Sequence, residues 1–348
     1  MPPLRTTFTI MMITALGALG AAQTISKPLA FTGVNLAGAE FGPHRPGEAP
    51  IFGQDYEYPH ENEVLYFASK GMNVFRIPFR WEAMQRKMGG ELVPEELARL
   101  RKAVAAVTDK GLVAILDPHN YARYDGKVLG GGDIGAKDFA FFWSRLAKEF
   151  KADSNVWFGL MNEPHDLPSK DWLDAANAAI AAIRAAGAKN LILVPGNHWS
   201  GAHSWGWSDN ATVMLEVRDP IERYAFDVHQ YLDKDSSGTS KEIVSPTIGV
   251  ERLRAMTDWC RKHKRRAFLG EFGTSASEEA RVAVQNMLRS MEANRDVWLG
   301  FAWWAAGPRW GDYMYSIEPK NLIDRPQLEY LRPHLQRTRM SPLPIAKD

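Results

Sequence analysis

Short runs rich in β-branched and aromatic residues recur along the chain, each followed by a longer stretch whose apolar positions fall at helical spacing. Eight such runs are legible, at residues 31–36, 73–78, 112–117, 156–161, 191–194, 224–228, 267–270 and 298–303. Each is too short for an ordinary helix and has the composition of a buried strand. Residues 61–70, 94–110, 137–150, 171–186, 250–263 and 277–294 instead read as amphipathic helices. Pro94 followed by Glu95 and Glu96 suits a first helical turn, where a missing N–H costs nothing and acidic side chains meet the positive end of the helix dipole. Gly71 and Gly111 suit the points where a helix stops and the chain turns into the next strand. Alternating strands and helices predict parallel βα units. Eight strands within 348 residues predict an α/β fold, a (β/α)8 TIM barrel forming one domain.

A barrel of this kind brings the ends of all its strands to one rim, and here those ends are polar. Arg76 closes the second run, His119 and Asn120 follow the third, and Asn162 and Glu163 follow the fourth. His229 and Tyr231 follow the sixth, Glu271 the seventh and Trp304 the eighth. The rim is where such barrels carry their active sites. The long stretches 120–135 and 196–210 are expected to be loops shaping a cleft there. Two carboxylates at strand ends, surrounded by His, Tyr and Asn, match what glycosidic cleavage requires: one to protonate the leaving oxygen, the other to act at the anomeric carbon. Flat rings suit the apolar faces of β-linked sugars, and Tyr121, Trp199, Trp205, Trp207, Trp81 and Trp304 are placed at the rim. Trp143, Trp157 and Trp259 are assigned to the core, and His198, His203, Asp235 and Ser237 to rim loops in reach of substrate.

Composition narrows the field. With 45% hydrophobic and 24% charged residues the chain can bury a large core, and a net charge of +1 supplies no field that would draw it to nucleic acid or an anionic membrane. The one dense basic run, Arg261 to Arg266, is expected at the C-terminal end of a helix, where cations are favoured. Met1 to Arg5, the apolar stretch from Phe8 to Ala18 and the small residues Gly20, Ala21 and Ala22 have the layout of a signal peptide. Cleavage after Ala22 would leave a catalytic domain over residues 23–348, secreted to the periplasm or medium and without a membrane anchor. Cys260 is the only cysteine, so no intrachain disulfide can form. His119 and His229 lack the spacing of a metal site, and Gly130 to Gly132 lacks the strand and helix context of a phosphate loop, so neither metal nor cofactor is expected.

Several segments resemble glycoside hydrolase family 5. The segment Gly159-Leu160-Met161-Asn162-Glu163-Pro164-His165-Asp166 is similar to the family's Asn-Glu-Pro acid/base signature. Asn73 to Pro78, His119 to Arg123, Val228 to Asp233, Leu269 to Gly273 and Trp303 to Gly307 occur in the family's order, and their wording is nearest the endoglucanase branch. The resemblance implies a retaining endo-β-1,4-glucanase, expected to act as a monomer on β-glucan or cello-oligosaccharides. It implies Glu163 as acid/base and Glu271 as nucleophile, with Arg76 and Tyr231 donating to Glu271. Asn162 would hold the sugar 2-OH, His119 and His229 would bind hydroxyls or tune Glu163, and Trp304 would lie under the sugar being cleaved; Asn120, Tyr121 and Trp199 complete the expected binding residues. Two departures from the family's pattern stand out. Pro118 precedes His119, which is expected to shift its backbone, and Trp303 beside Trp304 is expected to add a second ring near the cleavage site. A mannanase, xyloglucanase or β-1,3-glucanase would use the same two glutamates, and a non-catalytic sugar-binding barrel is the reading from another class.

Overall fold

In the computed structural model, which describes residues 27–42 and 50–336, the eight runs form one closed barrel. Its strands are β1 (Phe31–Leu36), β2 (Val74–Phe79), β3 (Val113–Pro118), β4 (Val156–Gly159), β5 (Ile192–Pro195), β6 (Tyr224–His229), β7 (Ala267–Phe272) and β8 (Trp298–Ala306). Each is hydrogen-bonded in parallel to its sequence neighbours, and β8 closes on β1 through pairs such as Thr32 with Phe301.

Period-two alternation sorts the side chains into layers. Val74, Val113, Ile115, Trp157, Leu193, Ala225 and Phe268 fill the barrel interior. Phe75, Ile77, Ala114, Leu116, Phe226 and Leu269 point outward into the larger core shared with the helices. The helices Glu61–Ser69, Pro94–Thr108, Ala136–Phe150, Ser169–Ala185, Ile248–Lys262 and Glu278–Ala293 stand where the sequence places them. After β5 the chain instead uses short turns, among them the helix Asn210–Val213. Gly71 leaves its helix at φ +103°, and a Cβ there would stand 2.2 Å from the Gln336 carbonyl oxygen, so both the turn and the close approach require glycine.

Strand limits differ from the sequence reading in an instructive way. Polar residues there mark strand ends, yet β2 runs past Arg76 to Phe79, β3 to Pro118 and β7 to Phe272. Across these strands Arg76 pairs with Asp117 and Glu271, and the ladder continues through them. In β7 the pairing with β6 shifts between Leu269 and Glu271, and this irregularity brings Glu271 to the interior out of simple alternation. A small hairpin, Arg123–Tyr124 with Lys127–Val128, sits in the loop after β3 and is not visible in the sequence pattern.

Cys260 is buried in its helix, with burial pushing the thiol up to about 12. Arg261 and Lys262 lie in the last turn of that helix, as the basic run suggests. No helix among the described residues is long and apolar enough to cross a membrane. The expected signal segment 1–22 lies outside the described residues.

Candidate active site

Arg76 is the hub of the C-terminal rim. Fully buried, it donates from Nη1 to Glu271 Oε1 at 2.7 Å and to Asn35 Oδ1 at 2.8 Å, and from Nη2 to Asn162 Oδ1 at 2.7 Å. Asp117 Oδ1 lies 3.1 Å from Nη2. Burial alone would lower its pKa, but Asp117, Glu271 and Asp227 together push it further up, so the guanidinium is a permanent cation at the barrel's mouth. Tyr231 donates to the other oxygen of Glu271 at 3.0 Å. Both oxygens of Glu271 are therefore fixed in orientation by donors, one from Arg76 and one from Tyr231.

Glu163 comes in from the opposite side, just beyond β4, with φ at +40°, a strained value for a non-glycine residue at a functional site. His229 Nδ1 is 2.6 Å from Glu163 Oε1 and 3.5 Å from Glu271 Oε2. One side-chain atom from each of Glu163, His229 and Glu271 falls within a sphere of contacts no wider than 4.8 Å. Burial raises the pKa of Glu163, an effect that the neighbouring His229 partly offsets and Glu271 reinforces. Burial works against a charged His229, yet the carboxylates of Glu271 and Glu163 prevail and lift it to about 9. These three groups could in principle hold a cation. Their lone pairs, however, face N–H and O–H donors from Arg76 and Tyr231, and His229 Nδ1 faces Glu163 as a hydrogen-bonding partner, so the donor set fits proton transfer better than metal ligation.

The remaining predicted residues divide. His119 is buried, its Nδ1 2.8 Å from Asp117 Oδ2, and its ring stacks on Trp304 at 5.1 Å and 15°. Burial pushes His119 well below the usual imidazole range, so the ring is neutral. Tyr121 and Glu163 line a cleft of about 870 Å3 together with Trp199, Trp207, His198, His203, Asp235 and Ser237. Trp199 is 50% exposed, and its indole lies flat on His165 at 4.4 Å and 12°.

Asn120 goes elsewhere: its Oδ1 accepts from the Trp81 N–H at 2.7 Å and its Nδ2 donates to Glu82, so it clasps the short helix Trp81–Met84 instead of presenting its amide to the cleft. Trp81 and Trp205 are not rim platforms. Trp81 packs against Tyr124 and Phe142, and Trp205 against Phe226 and Trp259, both wholly buried among aromatic rings outside the barrel interior. Trp303 likewise turns outward, packing on Phe272 at 5.1 Å and donating from Nε1 to the Tyr315 carbonyl, so it adds no ring at the cleavage site. Trp157, Trp143 and Trp259 are core residues, as expected.

Sequence reasoning missed Asn35, Asp117 and Asp227, which surround Arg76 from β1, β3 and β6. Each sits at an inward position of a strand whose preceding inward residues are apolar or glycine, and that break in the pattern was the available signal. Missed too is the wall of Phe41, Trp310 and Tyr313 beside Trp304, in which Trp310 and Tyr313 stack at 4.4 Å.

Comparison with known proteins places these features in a family. The sequence model of cellulase (glycosyl hydrolase family 5) matches residues 27–307. Endo-β-1,4-glucanase B of Aspergillus niger is 43% identical over 288 residues, 82% of this chain and 84% of that protein. The crystal structure of an endo-β-1,4-glucanase from Xanthomonas axonopodis pv. citri superposes with a TM-score of 0.85 at 48% identity, covering 88% of this chain and 98% of that one. That of XacCel5A in complex with cellopentaose gives 0.85 at 44% identity, with 88% and 99% covered. With a barrel, a rim and a sequence that all agree, the chain belongs to glycosyl hydrolase family 5, the cellulase family.

Proposed function

We propose that this chain hydrolyses internal β-1,4-glucosidic bonds of cellulose-like glucans with retention of configuration, using Glu271 as nucleophile and Glu163 as acid/base. It is an endo-β-1,4-glucanase, in keeping with the activity for which its relatives are named. The observation that carries the stereochemical reading is the closeness of the two glutamates, one oxygen of Glu163 lying within 4.8 Å of one oxygen of Glu271. Retaining pairs stand about 5 to 5.5 Å apart, and inverting pairs about 6.5 to 9.5 Å apart to admit a water.

In the first step Glu271 attacks the anomeric carbon while the bond to the leaving oxygen breaks and Glu163 gives that oxygen its proton. In the second, Glu163 takes a proton from water, the water oxygen bonds to the anomeric carbon, and the ester to Glu271 breaks. Arg76 and Tyr231 aim Glu271 for attack. Asn162 accepts from Arg76 through Oδ1, and its buried Nδ2 has no protein partner, which leaves an oriented N–H for the sugar 2-OH. His119, with Nδ1 turned to Asp117, keeps Nε2 for a sugar hydroxyl, and Trp304 supplies the floor under the ring. Trp199, Tyr121 and Trp207 receive the leaving-group side of the chain. The cellopentaose of the XacCel5A complex is a ligand of the proposed kind. Proton NMR of the first-formed anomer from a cello-oligosaccharide tests substrate and stereochemistry together: the β-anomer is expected first, and an initial α-anomer would overturn the mechanism.

The enzyme is further proposed to be a secreted monomer of residues 23–348, released by cleavage after Ala22. N-terminal sequencing of protein recovered from periplasm or medium should begin at Gln23, and a chain still starting at Met1 would exclude it.

A further inference from the structure

We propose that Asp233 is a positioning residue for the reaction, acting through Tyr231; the inference rests on the reading of Glu271 as nucleophile. The hydroxyl of Tyr231 holds Glu271 Oε2 at 3.0 Å, and the ring behind that hydroxyl packs against two neighbours. On one side is the backbone of Gly238, at φ +73°, so close that a Cβ there would stand 2.7 Å from Tyr231 Cδ1. Beside it too is the ring of Tyr315, nearly parallel at 25° with centroids 6.1 Å apart. Both neighbours belong to one assembly, because the Tyr315 hydroxyl donates to the Ser240 carbonyl at 2.5 Å.

The turn that carries Gly238 and Ser240 has no helix or strand to hold it. Asp233 does so. Its carboxylate, 1% exposed, accepts from the backbone N–H of Gly238 at 3.1 Å, Thr239 at 3.0 Å and Ser240 at 3.2 Å, and from Ser237 Oγ at 3.2 Å. From outside, Arg252 donates to the carbonyls of Tyr231 at 2.7 Å and Lys234 at 3.1 Å. One acidic side chain, two residues beyond Tyr231, thus folds the backbone that fixes the Tyr231 ring. The outer edge of the same turn, Asp235 to Ser237, lines the cleft beside Glu163. Losing Asp233 frees the turn, lets the Tyr231 ring leave its one orientation, and weakens the hydrogen bond that aims Glu271. The turn borders the leaving-group side of the cleft, so a substrate with no sugar on that side, an aryl cellobioside, loses no sugar contact.

The test is a double-mutant cycle read as kcat and KM on an aryl cellobioside with an activated leaving group. Tyr231→Phe and Asp233→Ala should each lower kcat about tenfold, with KM within about twofold of the parent. Asp233→Asn, which keeps one acceptor oxygen, should fall between. In the Tyr231→Phe background Asp233→Ala should change kcat by less than about twofold, because its route to the nucleophile is already cut. An equal effect in both backgrounds, or a change in KM alone, overturns the proposal. Should Asp233→Ala fail to fold, Gly238→Ala, which drives a methyl against the ring, enters the same cycle with the same expected non-additivity. Azide rescue of Glu271→Ala tests the nucleophile separately, so a failed cycle with successful rescue rejects only the role of Asp233.

Discussion

His229 Nδ1 and Glu163 Oε1 stand 2.6 Å apart, with the whole imidazole buried behind them. Burial raises Glu163, and the two carboxylates raise His229 to about 9, so the pair retains a proton through neutral pH on one side or the other of that bond. A general acid needs such a proton where the leaving oxygen departs.

Under the proposed roles, Glu163→Ala should slow hydrolysis of cellulosic polymer by about 10^2 to 10^4-fold. Glycosylation from a dinitrophenyl cellobioside, whose leaving group needs no proton, should be nearly unaffected. Burst kinetics separate the two steps, and an equal loss on both substrates would show that Glu163 is not the acid.

Glu271→Ala should lower turnover by about 10^4-fold or more. Arg76 keeps Asn35, Asn162 and Asp117 as partners, so the variant should still fold, as circular dichroism would report. Azide fits the space left by the carboxylate and should restore cleavage of the activated glycoside, giving an α-glycosyl azide. A β-configured azide product, or rescue of Glu163→Ala with that inverted product instead, would mean the two roles are exchanged.

The parts legible in the sequence were those set by short-range pattern: strand and helix alternation gave the barrel, and polar residues at the ends of apolar runs gave Arg76, Glu163, His229, Tyr231 and Glu271. What pattern could not supply was direction. Trp205 and Trp207 occupy one loop two residues apart, and nothing in their neighbours distinguishes the first, wholly buried, from the second, 76% exposed. Asn120 looks like a binding residue from its position after β3, yet its amide is claimed by the short helix that follows β2, a neighbour that only the pairing of β2 with β3 brings beside it. Glu271 reaches the interior through a register shift that depends on β6 and β7 together.

That contrast between the two tryptophans is measurable. Trp205→Ala empties a site between Phe226 and Trp259 and should cost about 3 to 5 kcal/mol of stability. Trp207→Ala should leave stability within about 0.5 kcal/mol. Its effect should instead fall on substrate: losing a stacking face worth about 0.5 to 1.5 kcal/mol should raise KM for cellopentaose roughly two- to tenfold and spare short aryl glycosides. Urea denaturation and oligosaccharide kinetics on both variants test it, and destabilisation of Trp207→Ala comparable to that of Trp205→Ala would contradict the assignment.

The acidic groups beneath the site set the pH dependence of stability. Burial pushes Asp117 and Asp227 up to about 6 and Glu40 up to about 8, with nearby charges making smaller adjustments. A carboxyl raised on folding contributes stability in full below its unfolded pKa, and that contribution is lost as pH rises through the folded value. For an aspartate moved from 3.8 to about 6 the effect is of order 3 kcal/mol. His229, raised to about 9, has the same sign over a later window: its contribution is present below about 6.5 and disappears as pH rises through 9. His119 acts oppositely, since burial depresses it and its contribution is lost as pH falls below about 6.5. The raised groups should therefore lower stability progressively from about pH 4 to 9, Asp117 and Asp227 over the lower part of that range and Glu40 and His229 over the upper part. Asp227→Asn, which mimics the protonated side chain, should flatten the decline between about pH 4 and 6. Calorimetric Tm values across this range decide the matter, and a Tm that holds constant or climbs from pH 6 to 9 would mean that these buried groups do not govern the fold's response to protons.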